Sequence, residues 1–196
     1  MALYIPKLKL IFLHIYKTAG TTLRKALMDI DRNYKEIGYG HADYSEIYPE
    51  IEDNKVFSVV RNPYNWIYSL YQYAKTYNSH PFHIYCATHN FEQFVFWYFK
   101  NIEILSRSGV NGKLQTQTEY LSINGEIKVD YILKMENLEV EFNHLLSIYR
   151  ETSISIGRFN CTPYEIIDFS TLKKETIDII NEKYHQDFIN FNYTKL

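Results

Sequence analysis

Residues 8–22 read LKLIFLHIYKTAGTT, and no other stretch limits the fold as much. Leu8, Leu10, Ile11, Phe12, Leu13 and Ile15 leave little room for a solvated face, the pattern of a strand buried on both sides. Leu23, Ala26, Leu27 and Ile30 then recur at helical spacing and predict a helix over residues 20–31. A buried strand, a tight turn and a helix form the opening unit of an α/β fold.

The turn itself, KTAGTT, carries chemistry. Backbone N–H groups at a helix start have no intrahelical partner and lie at the positive end of the macrodipole, so they attract an anion. Gly20 suits a tight turn, Thr21 and Thr22 offer hydroxyls, and Lys17 adds a point charge where the dipole alone would disfavour one. The nucleoside-triphosphate loop G-x-x-x-x-G-K-[ST] does not fit, because here the lysine precedes the turn's glycine. The strand predicted at 55–60, KVFSVV, ends in Arg61 and not in an aspartate that would hold magnesium. The second component of this phosphate cradle is therefore a cation.

Further along, YKEIG at 34–38 predicts a short strand and DYSEIYPEI a short irregular helix. Asn62 and Pro63 cap and open a helix whose buried stripe is Ile67, Leu70, Tyr71 and Ala74. The stretch 76–90 reads as a long aromatic loop or broken helix, 91–105 as a helix, 106–113 as a loop and 129–135 as a late strand. A helix over ENLEVEFNHLLSIY, irregular chain over 150–169 and a last helix from Ser170 or Thr171 complete the pass.

The net charge of −2 argues against a protein that grips long nucleic acid through many phosphates. Cys86 and Cys161 lack metal or disulfide-framework spacing and are expected to stay reduced. No apolar run approaches the roughly 20 residues of a membrane span, and the N-terminus lacks a signal-peptide core, so a soluble cytoplasmic protein is expected. Aromatic residues make up 17% of the chain, which raises an aromatic acceptor groove over 73–90 beside the plainer reading of core packing.

Several motifs resemble one family in the correct order. FLHIYKTAGTTL is similar to the 5′-phosphosulfate loop of sulfotransferases that use 3′-phosphoadenosine 5′-phosphosulfate (PAPS). VVRNPYNWIYSLY resembles their 3′-phosphate element, with Ser69 eight residues after Arg61. YGHADYSEI is similar to the GHxxY segment of the uronyl 2-O-sulfotransferase branch. QTEYL at 117–121, VDYILKMENLEVEF and YHQDFINFNY resemble later parts of the carbohydrate sulfotransferase pattern. Tyr16, Ala19 and Trp66 depart from it, standing where relatives have proline, glycine and often arginine.

The resemblance implies one sulfotransferase domain over 1–196 with a P-loop-NTPase-like core, a mainly parallel sheet flanked by helices. It implies PAPS as donor, 3′-phosphoadenosine 5′-phosphate (PAP) as product, no metal, and a hydroxyl of a glycan or similar acceptor. Lys17, Thr18, Ala19, Gly20, Thr21 and Thr22 would hold the 5′ end, and Arg61 and Ser69 the 3′-phosphate. Lys17 would also stabilise the leaving oxygen, and His41 would act as general base, a task suited to a histidine titrating near neutrality. His14 reads as a strand histidine satisfied by hydrogen bonds, and QTEYL as a segment lining the nucleotide pocket. A P-loop-type kinase or hydrolase and a non-catalytic binder of the same nucleotide are the rival readings.

Overall fold

A computed structural model describes residues 2–48, 51, 53–107, 116–157 and 167–196. The chain divides into two compact units, residues 1–61 with 117–160 and residues 62–116 with 161–196. The first is built on a five-stranded sheet and the second on helices, so the fold is mixed α/β.

In the first unit the strands are β1 (Ala2–Ile5), β2 (Leu10–Leu13), β3 (Lys35–Ile37), β4 (Lys55–Val60) and β7 (Tyr131–Lys134), in the order β3-β1-β2-β4-β7. β2 and β4 pair in parallel, as do β4 and β7, whereas β1 runs antiparallel to both β2 and β3. The sheet is thus mixed and not mainly parallel. The cause is local: a 3₁₀ turn over Pro6–Leu8, ended by Lys9 with φ of 49°, folds β1 straight back onto β2. Only a longer crossover could have joined them in parallel.

Helices α1 (Gly20–Ile30) and α7 (Leu138–Ile148) share one core with the sheet. Leu23 and Leu27 of α1 and Phe142, Leu145 and Leu146 of α7 pack with Leu10, Phe12, Phe57 and Val59, alternate residues of β2 and β4. Phe12, Phe57 and Phe142 lie ring to ring, with centroids 4.9 and 6.1 Å apart. The short helices α2 (Tyr44–Ile47) and α6 (Gln117–Tyr120) and the small hairpin β5 (Ser122–Ile123) and β6 (Glu126–Ile127) complete the unit.

The second unit holds α3 (Pro63–Thr76), α4 (His83–Thr88), α5 (Phe91–Arg107), α8 (Lys174–Lys183) and α9 (His185–Asn190). Asn62 caps α3 through its side-chain oxygen, which accepts from the Tyr64 N–H at 3.0 Å, and Pro63 occupies the first turn. The stretch expected as an aromatic loop or broken helix holds the short helix α4, and its rings pack on one another. Tyr85 is stacked between His89 at 3.9 Å and Trp97 at 4.3 Å, while Tyr73 meets Tyr77 at 4.4 Å. Those rings are half-buried or exposed, whereas Tyr71, Phe82, Phe94 and Tyr98 are buried and pack on one another, so part of the aromatic excess is core; Cys86 is buried too, its thiol pushed up to about 12 by burial. The single final helix expected from the periodicity is broken at Tyr184 into α8 and α9. Most of the loop expected at 106–113, and Cys161 within the irregular chain, lie outside the described residues. No helix among the described residues is long and apolar enough to cross a membrane.

Candidate active site

The loop between β2 and α1 holds two residues in the left-handed region, Lys17 at φ 64° and Ala19 at φ 61°. That conformation costs an L-residue about 1–2 kcal/mol, so the surroundings must impose it. Thr18 does so from inside: its side chain is fully buried and its hydroxyl donates to the Ile15 carbonyl at 2.8 Å. The Arg61 guanidinium reaches the Lys17 carbonyl at 3.5 Å, the outer limit of a hydrogen bond.

Ala19, not a threonine, is the N-cap of α1, and it has no side-chain oxygen to satisfy the first-turn amides. No acidic residue lies in that turn either. A left-handed residue leading into a right-handed helix turns successive N–H groups towards one side, the geometry of an anion nest. The Lys17 ammonium lies 5.9 Å from the Tyr16 ring centre. Thr22 is buried and Thr21 exposed.

Arg61 follows β4 directly, on the carboxyl side of the parallel β2–β4 pair, the edge at which α/β sheets bind ligands. The pair is tied by the Ser58 hydroxyl, which donates to the Leu13 carbonyl at 2.7 Å. Beyond the last ladder bond Gln117 takes over as a partner. Its Oε1 accepts from the Arg61 N–H and its Nε2 donates to the Arg61 carbonyl, both at 2.8 Å and both buried. The segment QTEYL, expected to line a pocket, thus supplies a backbone anchor for Arg61. Both Arg61 and Gln117 are buried. Ser69 lies within α3 of the other unit and is buried there.

His41 is held from both sides of its loop. Gly38 and Gly40 adopt φ of 68° and 52°, and Asp43 closes a capping box with Glu46 at the start of α2. The His41 Nδ1 lies 3.3 Å from the His14 carbonyl. A carbonyl only accepts, so Nδ1 carries the hydrogen and Nε2 keeps the lone pair. The ring sits between His14, at 4.8 Å, and Tyr16, at 4.9 Å, both near edge-on. Burial holds the His41 pKa below its usual 6.5, partly opposed by the bond to His14. His41 is therefore neutral at pH 7 with a proton-accepting nitrogen.

Among the site residues foreseen from sequence, the structure brings Lys17, the first turn of α1, His41 and Arg61 into one unit. Two contacts were missed, His14 beside His41 and Gln117 behind Arg61. Among the described residues no group of three or more His, Cys, Asp or Glu side chains is arranged to hold a metal ion.

The sequence model of the Sulfotransferase family matches residues 1–194. No curated protein and no solved structure gives a significant match. With the family pattern running over nearly its whole length, the chain belongs to the sulfotransferase family, whose chemistry is the transfer of sulfuryl groups.

Proposed function

We propose that the protein transfers a sulfuryl group in line from PAPS to a hydroxyl of a carbohydrate-like acceptor, on a P-loop-like core formed by β2, its loop and α1. The observation that supports this reading is the contact of His41, on the β3–α2 loop, with the β2–α1 loop that carries Lys17. His41, neutral and with Nε2 unprotonated, packs on Tyr16, and Tyr16 directly precedes Lys17.

In this reading His41 Nε2 takes the proton of the acceptor hydroxyl as the new S–O bond forms. Lys17 meets the negative charge that grows on the bridging oxygen as the old S–O bond breaks, an interaction stronger in the transition state than before it. Gly20, Thr21 and Thr22 orient the 5′ end with first-turn amides and hydroxyls, continued by Thr18 and Ala19 in the loop. The donor set suits such a group: a buried arginine and a lysine beside an uncapped helix start free of acidic residues. Arg61 would grip the 3′-phosphate with its planar fork, and Ser69, eight residues on, would add a hydroxyl.

Titration calorimetry with PAP, set against ATP with magnesium, tests the donor, and a screen of hydroxyl acceptors with labelled donor tests the transfer. PAP is expected to bind and ATP–Mg to bind more weakly; the reverse order sinks the proposal in favour of a nucleotide kinase or hydrolase. His41→Ala should lower turnover by about 10²–10⁴ while PAP binds as before. PAP binding without transfer to any acceptor would identify a non-catalytic binder.

A further inference from the structure

Gly20 stands at the first position of α1, yet its backbone does not require a glycine. It is absent from the positive-φ residues, unlike Gly38 and Gly40. What it lacks is room. A Cβ built on Gly20 would lie 1.6 Å from Nε2 of His14 and 1.9 Å from its Cδ2. The imidazole of His14 thus occupies the place a side chain would take at the helix start.

The same ring faces His41. Phe12, the ring of His14 beyond the end of β2, and Tyr16 in the turn after it are linked through ring contacts, Phe12 to His14 and both His14 and Tyr16 to His41. Phe12 backs the His14 ring at 5.7 Å, nearly parallel, and His41 meets it edge-on at 4.8 Å. The His14 carbonyl is also the acceptor for His41 Nδ1. One residue therefore touches the base twice and the anion helix once.

We propose that His14 is a positioning residue, a spacer whose ring, seated on Gly20, fixes His41 relative to the first turn of α1. In-line transfer makes such a spacer useful, because a displacement of about 1 Å between reacting groups can cost about 10²-fold in rate. The ring acts by shape and not by charge. Burial first, then the neighbouring His41, holds the His14 pKa well below 6.5, and Arg24, itself paired with Glu36, adds to that effect. A neutral ring is compatible with its seat at the positive end of α1. The inference rests on the reading of His41 as the base, while its geometric content stands apart from the identity of the donor.

Two readouts separate the two. In the parent protein, nitrogen-detected NMR of the histidine rings should show His41 as the Nδ1–H tautomer titrating below 6.5. In His14→Ala the His41 titration should move towards 6.5, because the ring that shields it is gone, while the retained carbonyl of residue 14 still accepts from Nδ1–H. Turnover with a sulfuryl donor should fall at least about tenfold, with PAP affinity within about twofold of the parent. Gly20→Ala, which leaves His14 in place but pushes its ring aside, should reproduce the change in the His41 titration. The His14→Ala/Gly20→Ala double variant, whose new Cβ fills vacated space, should lose less than the two single losses combined. A His41 titration unchanged in both single variants would overturn the proposal, as would a loss of PAP binding in His14→Ala that accounts for its whole loss of turnover. If the parent does not bind PAP, the donor reading fails and the NMR comparison still decides the role of His14. Should His14→Ala fail to fold, Gly20→Ala and the double variant carry the same comparison.

Discussion

Gln117 is where a single side chain does the work of a strand. Beyond the parallel β4 ladder, the N–H and carbonyl of Arg61 need partners, and the Gln117 amide satisfies both at 2.8 Å. Replacing it by leucine leaves a buried donor and a buried acceptor unmatched, each costing about 1–3 kcal/mol. Gln117→Leu is therefore expected to destabilise the protein by about 2–6 kcal/mol in urea melts and to weaken PAP binding through a mobile Arg61. Gln117→Glu keeps the shape and makes a sharper probe. Ionised, its carboxylate accepts from the Arg61 N–H but repels the carbonyl; protonated, it donates to that carbonyl as glutamine does. Its stability deficit should shrink as pH falls from 8 towards 5, and a deficit that grows on acidification would refute the pairing.

At the level of elements, the strain sits in the loop joining β2 to α1. Ala19 caps the helix at φ 61°, a position that glycine fills without steric cost. Ala19→Gly removes a strain of about 1–2 kcal/mol and adds about 0.5–1 kcal/mol of unfolded-chain entropy. The net gain of up to about 1 kcal/mol should raise the melting temperature by about 1–4 °C, and a lower value would mean the strain is absent. This loop was legible in the sequence because its signals are local: an apolar run, a misplaced lysine, a glycine and a helical period. β4 and the Asn62–Pro63 helix start were legible for the same reason. β1 was not, since four residues ahead of Pro6 show little pattern and Lys9 makes the turn without a glycine. The break between α8 and α9 was hidden because Ile177, Ile180, Tyr184 and Phe188 keep helical spacing straight across it. In the site, the pairs His14–His41 and Arg61–Gln117 join residues 27 and 56 positions apart through a backbone group, and such contacts leave no period to read.

For the molecule as a whole, the two site histidines tie stability to acidity. Both have folded-state pKa values below the 6.5 of an unfolded chain, chiefly through burial. Between those lowered values and 6.5 the unfolded chain binds more protons than the folded one, so stability rises with pH there. Above 6.5 the contribution is fully present, and as pH falls below 6.5 it is progressively lost. Asp31 and Asp168, lowered chiefly by hydrogen bonds to the Lys7 N–H and to Ser170, add a second loss only below 3.8. Melts across pH 8 to 5 should therefore show a decline beginning near 6.5, ahead of any carboxylate titration, and His14→Ala should flatten it. PAP binding only to the folded state would act against this decline. At about 100 times its dissociation constant it should add about 2.7 kcal/mol at any pH, or roughly 5–11 °C for a chain of this length. The cations proposed to bind it are Lys17 and Arg61, whereas His41 is proposed to face the acceptor. As pH falls from 8, turnover should therefore hold to about 6.5 and fall below it as His41 becomes protonated, while the PAP-induced rise in melting temperature changes little. A ligand-induced shift that collapsed in step with turnover would place His41 in the nucleotide pocket and remove it as the base.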